Sequence, residues 1–189
     1  MNADQSTVYL SLGSNLGHRK SNLDRALAGL SNTGVQVTCT SSCYRTDPVE
    51  YLPQPEFLNL VCRASCRETP IGLLRLCLDL ETQMGRIRRY DKGPRLIDID
   101  ILYYDDRIVR RPDLMIPHPA RLRRRFVLLP LAEIAPDFLD PIKHKSILQL
   151  LGECPDQSRV ELLSAPADGS SAHAVPGHGA IRTRSAKLL

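Results

Sequence analysis

Gly85 to Tyr104 reads GRIRRYDKGPRLIDIDILYY, and its second half decides the fold. Ile97, Ile99, Ile101 and Tyr103 share one parity, Asp98 and Asp100 the other. Side chains on a strand alternate between faces, so the spacing predicts a strand whose isoleucines enter a core while both carboxylates face the same way. Carboxylates at i and i+2 stand roughly 6.5–7 Å apart along a strand. They can lean together on divalent cations about 3.5–4 Å apart, the spacing of two-metal phosphate chemistry. Magnesium takes few carboxylates and completes its shell with water and phosphate oxygens. Arg86, Arg88, Arg89, Lys92 and Arg95 lie just ahead of the acids, where they can bind the remaining phosphate charge. The stretch has the composition of a polyphosphate site. An isolated Asp-x-Asp is more often a solvated strand face, so the reading depends on the rest of the chain.

Working back from Gly85, Ile71, Leu74 and Leu78 recur at helical spacing, with Thr69 as cap and Pro70 as first residue. Before them, Leu58, Leu60, Cys62, Ala64 and Cys66 alternate against Phe57, Asn59, Val61 and Arg63, which predicts a strand. Pro48, Pro53 and Pro55 mark a loop, and Val35 to about Tyr44 reads as a further strand. Leu23, Ala26, Leu27 and Leu30 predict a helix closed by Gly34, and Val8–Leu12 a first strand. Ser14 or Asn15 is the expected helix cap, because the spacing of a phosphate-binding P-loop is absent. The order is β-α-β-β-α-β, an α+β ferredoxin-like sandwich with an antiparallel sheet and helices packed on one face. Extra C-terminal segments follow: Pro117-His118-Pro119, an arginine-rich turn, an apolar run from Val127 to Ile134, and a helix over Ser146–Leu151. Residues 1–152 are expected to form the catalytic domain. Residues 153–189, rich in Ala, Ser, Gly and Pro, read as a largely disordered tail.

The 189 residues are 42% apolar and 24% charged, ordinary for one globular domain, and the net charge of +4 suits a small anion without demanding nucleic acid. The 6 cysteines form no C-x-x-C pair, so buried free thiols are expected rather than a disulfide frame or zinc site. MNADQST lacks a basic n-region and no apolar run is long enough to span a membrane, which points to the cytoplasm.

Several short blocks carry a resemblance. Gly13-Ser14-Asn15, Tyr44-Arg45-Thr46 and Gln54-Pro55-Glu56-Phe57-Leu58-Asn59 come first, then Gly85-Arg86-Ile87-Arg88. Gly93-Pro94-Arg95-Leu96-Ile97-Asp98-Ile99-Asp100-Ile101-Leu102, Ile116-Pro117-His118-Pro119 and Arg124-Arg125-Phe126-Val127-Leu128 complete the series. In this order they resemble the 6-hydroxymethyl-7,8-dihydropterin pyrophosphokinases (HPPK) of folate biosynthesis, over residues 7–152. The resemblance implies Mg-dependent transfer of a diphosphoryl group from ATP to the pterin, leaving AMP. It implies that Asp98 and Asp100 hold two Mg2+ ions and that Arg86 and Arg95 act on the phosphates. Glu81, Arg88, Ile101, His118 and Arg124 are implied on the nucleotide side. Thr46, Val49, Phe57, Asn59 and Phe126 are implied in the pterin pocket, with the two phenylalanines stacking on the ring. Some relatives carry a tryptophan just before the Gly-Pro-Arg where this chain has Lys92, and Tyr90 is the nearest aromatic to replace it.

Two other classes share parts of this pattern. RNA-recognition domains use the same element order, but their aromatic-rich block is absent and strand acids repel a phosphate backbone. Palm-like nucleotidyl transferases and cyclases pair strand aspartates with two metals but release pyrophosphate. The expected partners are ATP and the hydroxymethyl dihydropterin, with no nucleic acid and no membrane, and the expected state is a monomer.

Overall fold

The computed structural model describes residues 5–48, 54–85 and 93–163. The chain runs β1 (Ser6–Ser14), α1 (Arg19–Asn32), β2 (Gln36–Thr40), β3 (Tyr44–Thr46), β4 (Phe57–Cys66), α2 (Pro70–Gln83) and β5 (Asp98–Tyr104). A small hairpin of β6 (Val109–Arg110) and β7 (Met115–Ile116) follows, then a 3-10 turn at Arg121–Arg123. The C-terminal part holds α3 (Arg125–Ile134), α4 (Ile147–Gly152) and β8 (Val160–Leu162).

The main sheet has the order β5-β1-β4-β3-β8, with β2 also on β4, and its pairings are antiparallel. The first and last strands of the βαββαβ unit thus pair beside each other, as the predicted sandwich requires. Both helices of the unit pack on one face. Val8, Leu10 and Leu12 of β1 and Ile99 and Ile101 of β5 meet Leu23, Ala26 and Leu30 of α1 and Leu73, Cys77 and Leu80 of α2. The Thr69 hydroxyl accepts the Gly72 N–H at 3.1 Å and Pro70 opens α2, as predicted. Gly85 closes it at φ +91°, a left-handed conformation that favours glycine. The second face is covered in part by the C-terminal helices, where Val127, Leu128, Leu131, Ile147 and Leu150 pack on Tyr9, Val61 and Leu102.

Three expectations change, and one apolar run gains its element. The strand predicted from Val35 to Tyr44 is two strands, because the Ser41 hydroxyl accepts the Val61 N–H at 3.0 Å and takes the place of a ladder carbonyl. Tyr103 does not share a face with the isoleucines. The β1–β5 register shifts at Tyr9/Leu10, so Leu10 pairs with Ile101 and Tyr9 with Tyr103. Leu102 is the extra residue of this bulge, and Tyr103 joins it in the α3 core while Tyr104 takes the α1–α2 side. The apolar run at 127–134 is the helix α3, its pattern interrupted in sequence by Pro130. Finally, residues 153–163 are not an unstructured tail: Cys154 is buried and β8 pairs with β3 from Thr46↔Val160 to Tyr44↔Leu162. The low periodicity of the segment concealed a short edge strand. Residues 164–189 lie outside the described residues. All six cysteines are free thiols.

Candidate active site

Among the described residues the second face of the sheet is only partly covered, and where α3 stops strands β3, β4, β1 and the edge strand β5 floor an open cavity of about 330 Å³. Strand register sets its plan. Gly13 of β1 pairs with Asn59 on one side and Asp98 on the other, making one row across β4, β1 and β5. In the next row Ser11 lies between Val61 and Asp100. Two strand spacings place the Asn59 and Asp98 backbones roughly 10 Å apart. An aromatic and amide end therefore faces a charged end across a glycine.

At the first end, the Asn59 amide donates to the Thr46 hydroxyl at 2.7 Å, and Phe57 lies one alternation along the same face. Phe126, at the start of α3, faces the cavity with the Arg124 guanidinium 5.7 Å over its ring. Gly13 makes the floor fit. A Cβ there would stand 2.7 Å from Asn59 Oδ1, inside any real contact. Gly13→Ala is expected to displace Asn59 or the strand and to cost about 1–3 kcal/mol in thermal unfolding, the range of overpacking. An unchanged melting temperature would show that β1 moves freely to take the methyl group.

At the second end, Arg95 Nη1 donates to Asp98 Oδ2 at 2.6 Å, and Arg124 Nη1 stands 3.5 Å from Asp100 Oδ2. His118 follows the cis Ile116–Pro117 bond, and its N–H donates to the Leu102 carbonyl at 3.0 Å. His118 Nδ1 accepts the Ala120 N–H, which leaves Nε2 facing Asp100 Oδ2 at 3.9 Å. Burial, and then the Asp98 charge, hold the Asp100 carboxyl above its ordinary range, against His118, Arg124 and Arg95. Burial pushes the His118 imidazole down, Arg124 and Arg121 reinforcing that against the pull of Asp100. Both carboxylates line the one cavity. Among the described residues no three His, Cys, Asp or Glu side chains form a closed metal cage. Two carboxylates on one open cavity fit magnesium, which keeps water and phosphate oxygens in its shell.

The cavity brings together Thr46, Phe57, Asn59, Arg95, Asp98, Asp100, His118, Arg124 and Phe126. It leaves out two expected members. Glu81 is buried on α2, where its carboxylate accepts the Ile99 N–H at 2.7 Å, and Ile101 points into the α1–α2 core. Both lie on the helix side of the strand, Ile101 because parity sends odd positions of β5 before the bulge there and Glu81 because α2 packs on that side. Val49, Arg86 and Arg88, and with them Tyr90 and Lys92, lie outside the described residues. Ser11, Asp47, Pro48 and Gln54 also line the cavity. Asn15 was expected to cap α1, as was Ser14, but no side chain caps that helix. Ser14 Oγ instead accepts from the Asn22 amide at 3.2 Å. Asn15 Oδ1 accepts the Arg95 N–H at 2.7 Å and its Nδ2 donates to Gln54 Oε1 at 3.1 Å, joining the two ends of the cavity. Only the Gly13-Ser14-Asn15 block marked this turn in sequence.

The family described as 7,8-dihydro-6-hydroxymethylpterin-pyrophosphokinase (HPPK) matches residues 9–136. A Schizosaccharomyces pombe "folic acid synthesis protein fol1" is 42% identical over 151 residues, 79% of this chain and 21% of that protein. The chain thus spans a fifth to a quarter of the length of such longer relatives. A Methylorubrum extorquens "2-amino-4-hydroxy-6-hydroxymethyldihydropteridine pyrophosphokinase" is 44% identical over 133 residues, 70% of this chain and 84% of the relative. The fold is that of a Plasmodium falciparum HPPK-DHPS crystal structure with pteroate, at TM-score 0.65 and 15% identity over 79% of this chain and 42% of that one. Strand order, the Asp98–Asp100 face and the family match converge: the chain belongs to the 7,8-dihydro-6-hydroxymethylpterin-pyrophosphokinase family.

Proposed function

We propose that the chain transfers a diphosphoryl group from ATP to 6-hydroxymethyl-7,8-dihydropterin, the pyrophosphokinase step of folate biosynthesis. The observation that supports this is the row Asn59–Gly13–Asp98, across which Phe57 and Asn59 lie at one end of a single cavity and Asp98 and Asp100 at the other. The hydroxymethyl oxygen attacks the β-phosphorus of ATP, loses its proton, and the bond to the α–β bridging oxygen breaks to release AMP. Asn59 and Thr46 present hydrogen-bonding groups to the pterin edge, and Phe57 and Phe126 offer ring faces. Arg95 and Arg124, now on the carboxylates, are placed to turn toward phosphate oxygens. Arg86 and Arg88 join them in this reading, and Val49 joins the pterin pocket. Asp98 and Asp100 would hold two Mg2+ ions, which neutralise phosphate charge as it redistributes. Glu81 and Ile101 serve the nucleotide side by holding β5 in place. Positioning and electrostatics carry the reaction, with no covalent intermediate. No helix among the described residues is long and apolar enough to cross a membrane. The proposed location is the cytoplasm. The proposed state is a monomer.

Phosphorus NMR of the protein with ATP, magnesium and the hydroxymethyl dihydropterin tests the reaction. AMP and a pterin diphosphate are expected; pyrophosphate would point to nucleotidyl transfer instead. Phe57→Ala separates the two ends of the cavity. It is expected to weaken pterin binding by about tenfold, from lost stacking of roughly 1 kcal/mol and lost buried area. Nucleotide affinity should be unchanged by calorimetry, and an equal loss for both ligands would make Phe57 a packing residue.

A further inference from the structure

The start of α3 poses an electrostatic problem. Arg123, Arg124 and Arg125 crowd a helix N-terminus, where the macrodipole disfavours cations, and no side chain at the N-cap satisfies the first amides. Phe126 and Arg124 must nonetheless be held there, since both line the cavity. The missing acceptor comes from far along the chain. Asp156 Oδ2 accepts the Arg125 N–H at 2.8 Å, and Asp156 Oδ1 accepts the Ser158 N–H at 2.9 Å and the Ser158 hydroxyl. Ser158 leads directly into β8, whose Val160 pairs with Thr46 of β3. The opposite end of α3 is tied to the same region: Glu133 accepts from the Ser42 amide at 3.0 Å and from the Tyr44 hydroxyl at 2.8 Å. All of residues 153–163 lie beyond the matched region, which ends at 136.

We infer that Asp156 is a positioning residue for the pterin end of the cavity: one carboxylate fixes the start of α3, and with it Phe126, relative to β8 and the Thr46 strand. It acts through Phe126 and Thr46 and touches neither ligand. Burial would raise the Asp156 carboxyl, but the Ser158 bonds and the Arg125 amide outweigh it and hold the group below its ordinary range. It is therefore an anion at neutral pH, the sign that the helix start needs. Without it the first turn of α3 frays, and the pterin binds only to the fraction of molecules in which Phe126 is in place. Arg124 keeps its own contact with Asp100 and is less affected.

The inference rests on the pterin reading, and the test separates the two. In the full chain, Asp156→Ala is expected to weaken pterin affinity and raise the pterin KM by about tenfold, the loss of one good cap. The KM for ATP and the kcat at saturating pterin should stay close to wild type. Asp156→Asn, which still accepts the amide, should restore most of the pterin affinity. Ser158→Ala, which cuts only the hydroxyl link, should shift the pterin KM in the same direction by a smaller factor and tests the inference even if Asp156→Ala does not fold. Wild-type pterin affinity in Asp156→Ala, or equal loss for pterin and nucleotide without rescue by Asn, would overturn the positioning role. If the wild-type protein binds no pterin, the substrate reading fails, and faster amide exchange at Arg125–Val127 in Asp156→Ala still reports whether the carboxylate holds the helix start.

Discussion

Asp98→Ala and Asp100→Ala are each expected to lower turnover by roughly 10²-fold or more, since a positioned Lewis acid supplies several kcal/mol to the reaction. The fold should survive. The two side chains remain 25% and 35% exposed, and the movable arginines Arg95 and Arg124 are among their partners. Asp100→Asn removes one of two like charges and is expected to leave the melting temperature unchanged or slightly higher, because burial and Asp98 already press the Asp100 carboxyl toward its neutral form. Steady-state kinetics across a magnesium titration, with thermal melts of the same samples, check both halves. Near-normal turnover in both alanine variants at all magnesium concentrations would remove the carboxylates from the reaction.

The largest effect on stability is expected from Asp140→Ala. The Asp140 side chain is fully buried, with Arg121 Nη2 at 2.5 Å and the Tyr103 hydroxyl donating at 2.8 Å. The Ile142 and Lys143 amides, at 2.8 Å each, complete its shell. Removing it leaves a buried guanidinium without its counter-charge, a change that costs about 3–5 kcal/mol. At this chain length that corresponds to a fall in melting temperature of roughly 6–20 °C. The acid response carries the same signature. Burial would raise the Asp140 carboxyl, but the Lys143 amide, Tyr103, the Ile142 amide and Arg121 outweigh it and hold it below the ordinary range. A depressed carboxyl contributes stability that is fully present above its unfolded value of about 3.9 and is lost as pH falls through its folded value. The wild-type melt should therefore decline below about pH 4, and Asp140→Asn should lack that component. Equal acid sensitivity in both proteins would assign the loss to other carboxylates.

How much of this was visible in the residues depends on whether each feature is local. The facing carboxylates were legible because i and i+2 on a strand can only share a side. The βαββαβ order was legible because each apolar period is internal to its element. The row Asn59–Gly13–Asp98 was not, since register between strands is set by packing that no single stretch records. The same holds for Asn15, whose partners lie at Arg95 and Gln54, and for Asp156, which caps a helix that begins at Arg125. Glu81 and Ile101 were assigned to a ligand from resemblance. The structure puts Glu81 on the Ile99 amide and Ile101 in the helix-side core, outside the cavity lining.

The bulge in β5 has a consequence for changes in chain length. Ahead of it the strand presents carboxylates to the open face; beyond it Tyr103, not an even-numbered neighbour, reaches Asp140. The extra residue works as a phase shift between the segment that lines the cavity and the one that packs under α3. Deleting Leu102 would restore simple alternation and bring later residues one position closer, and the Leu102 carbonyl that holds His118 would be lost with it. Substitutions elsewhere in the strand test one side chain at a time, whereas an insertion or deletion at this point re-indexes the active face against the frame that supports it.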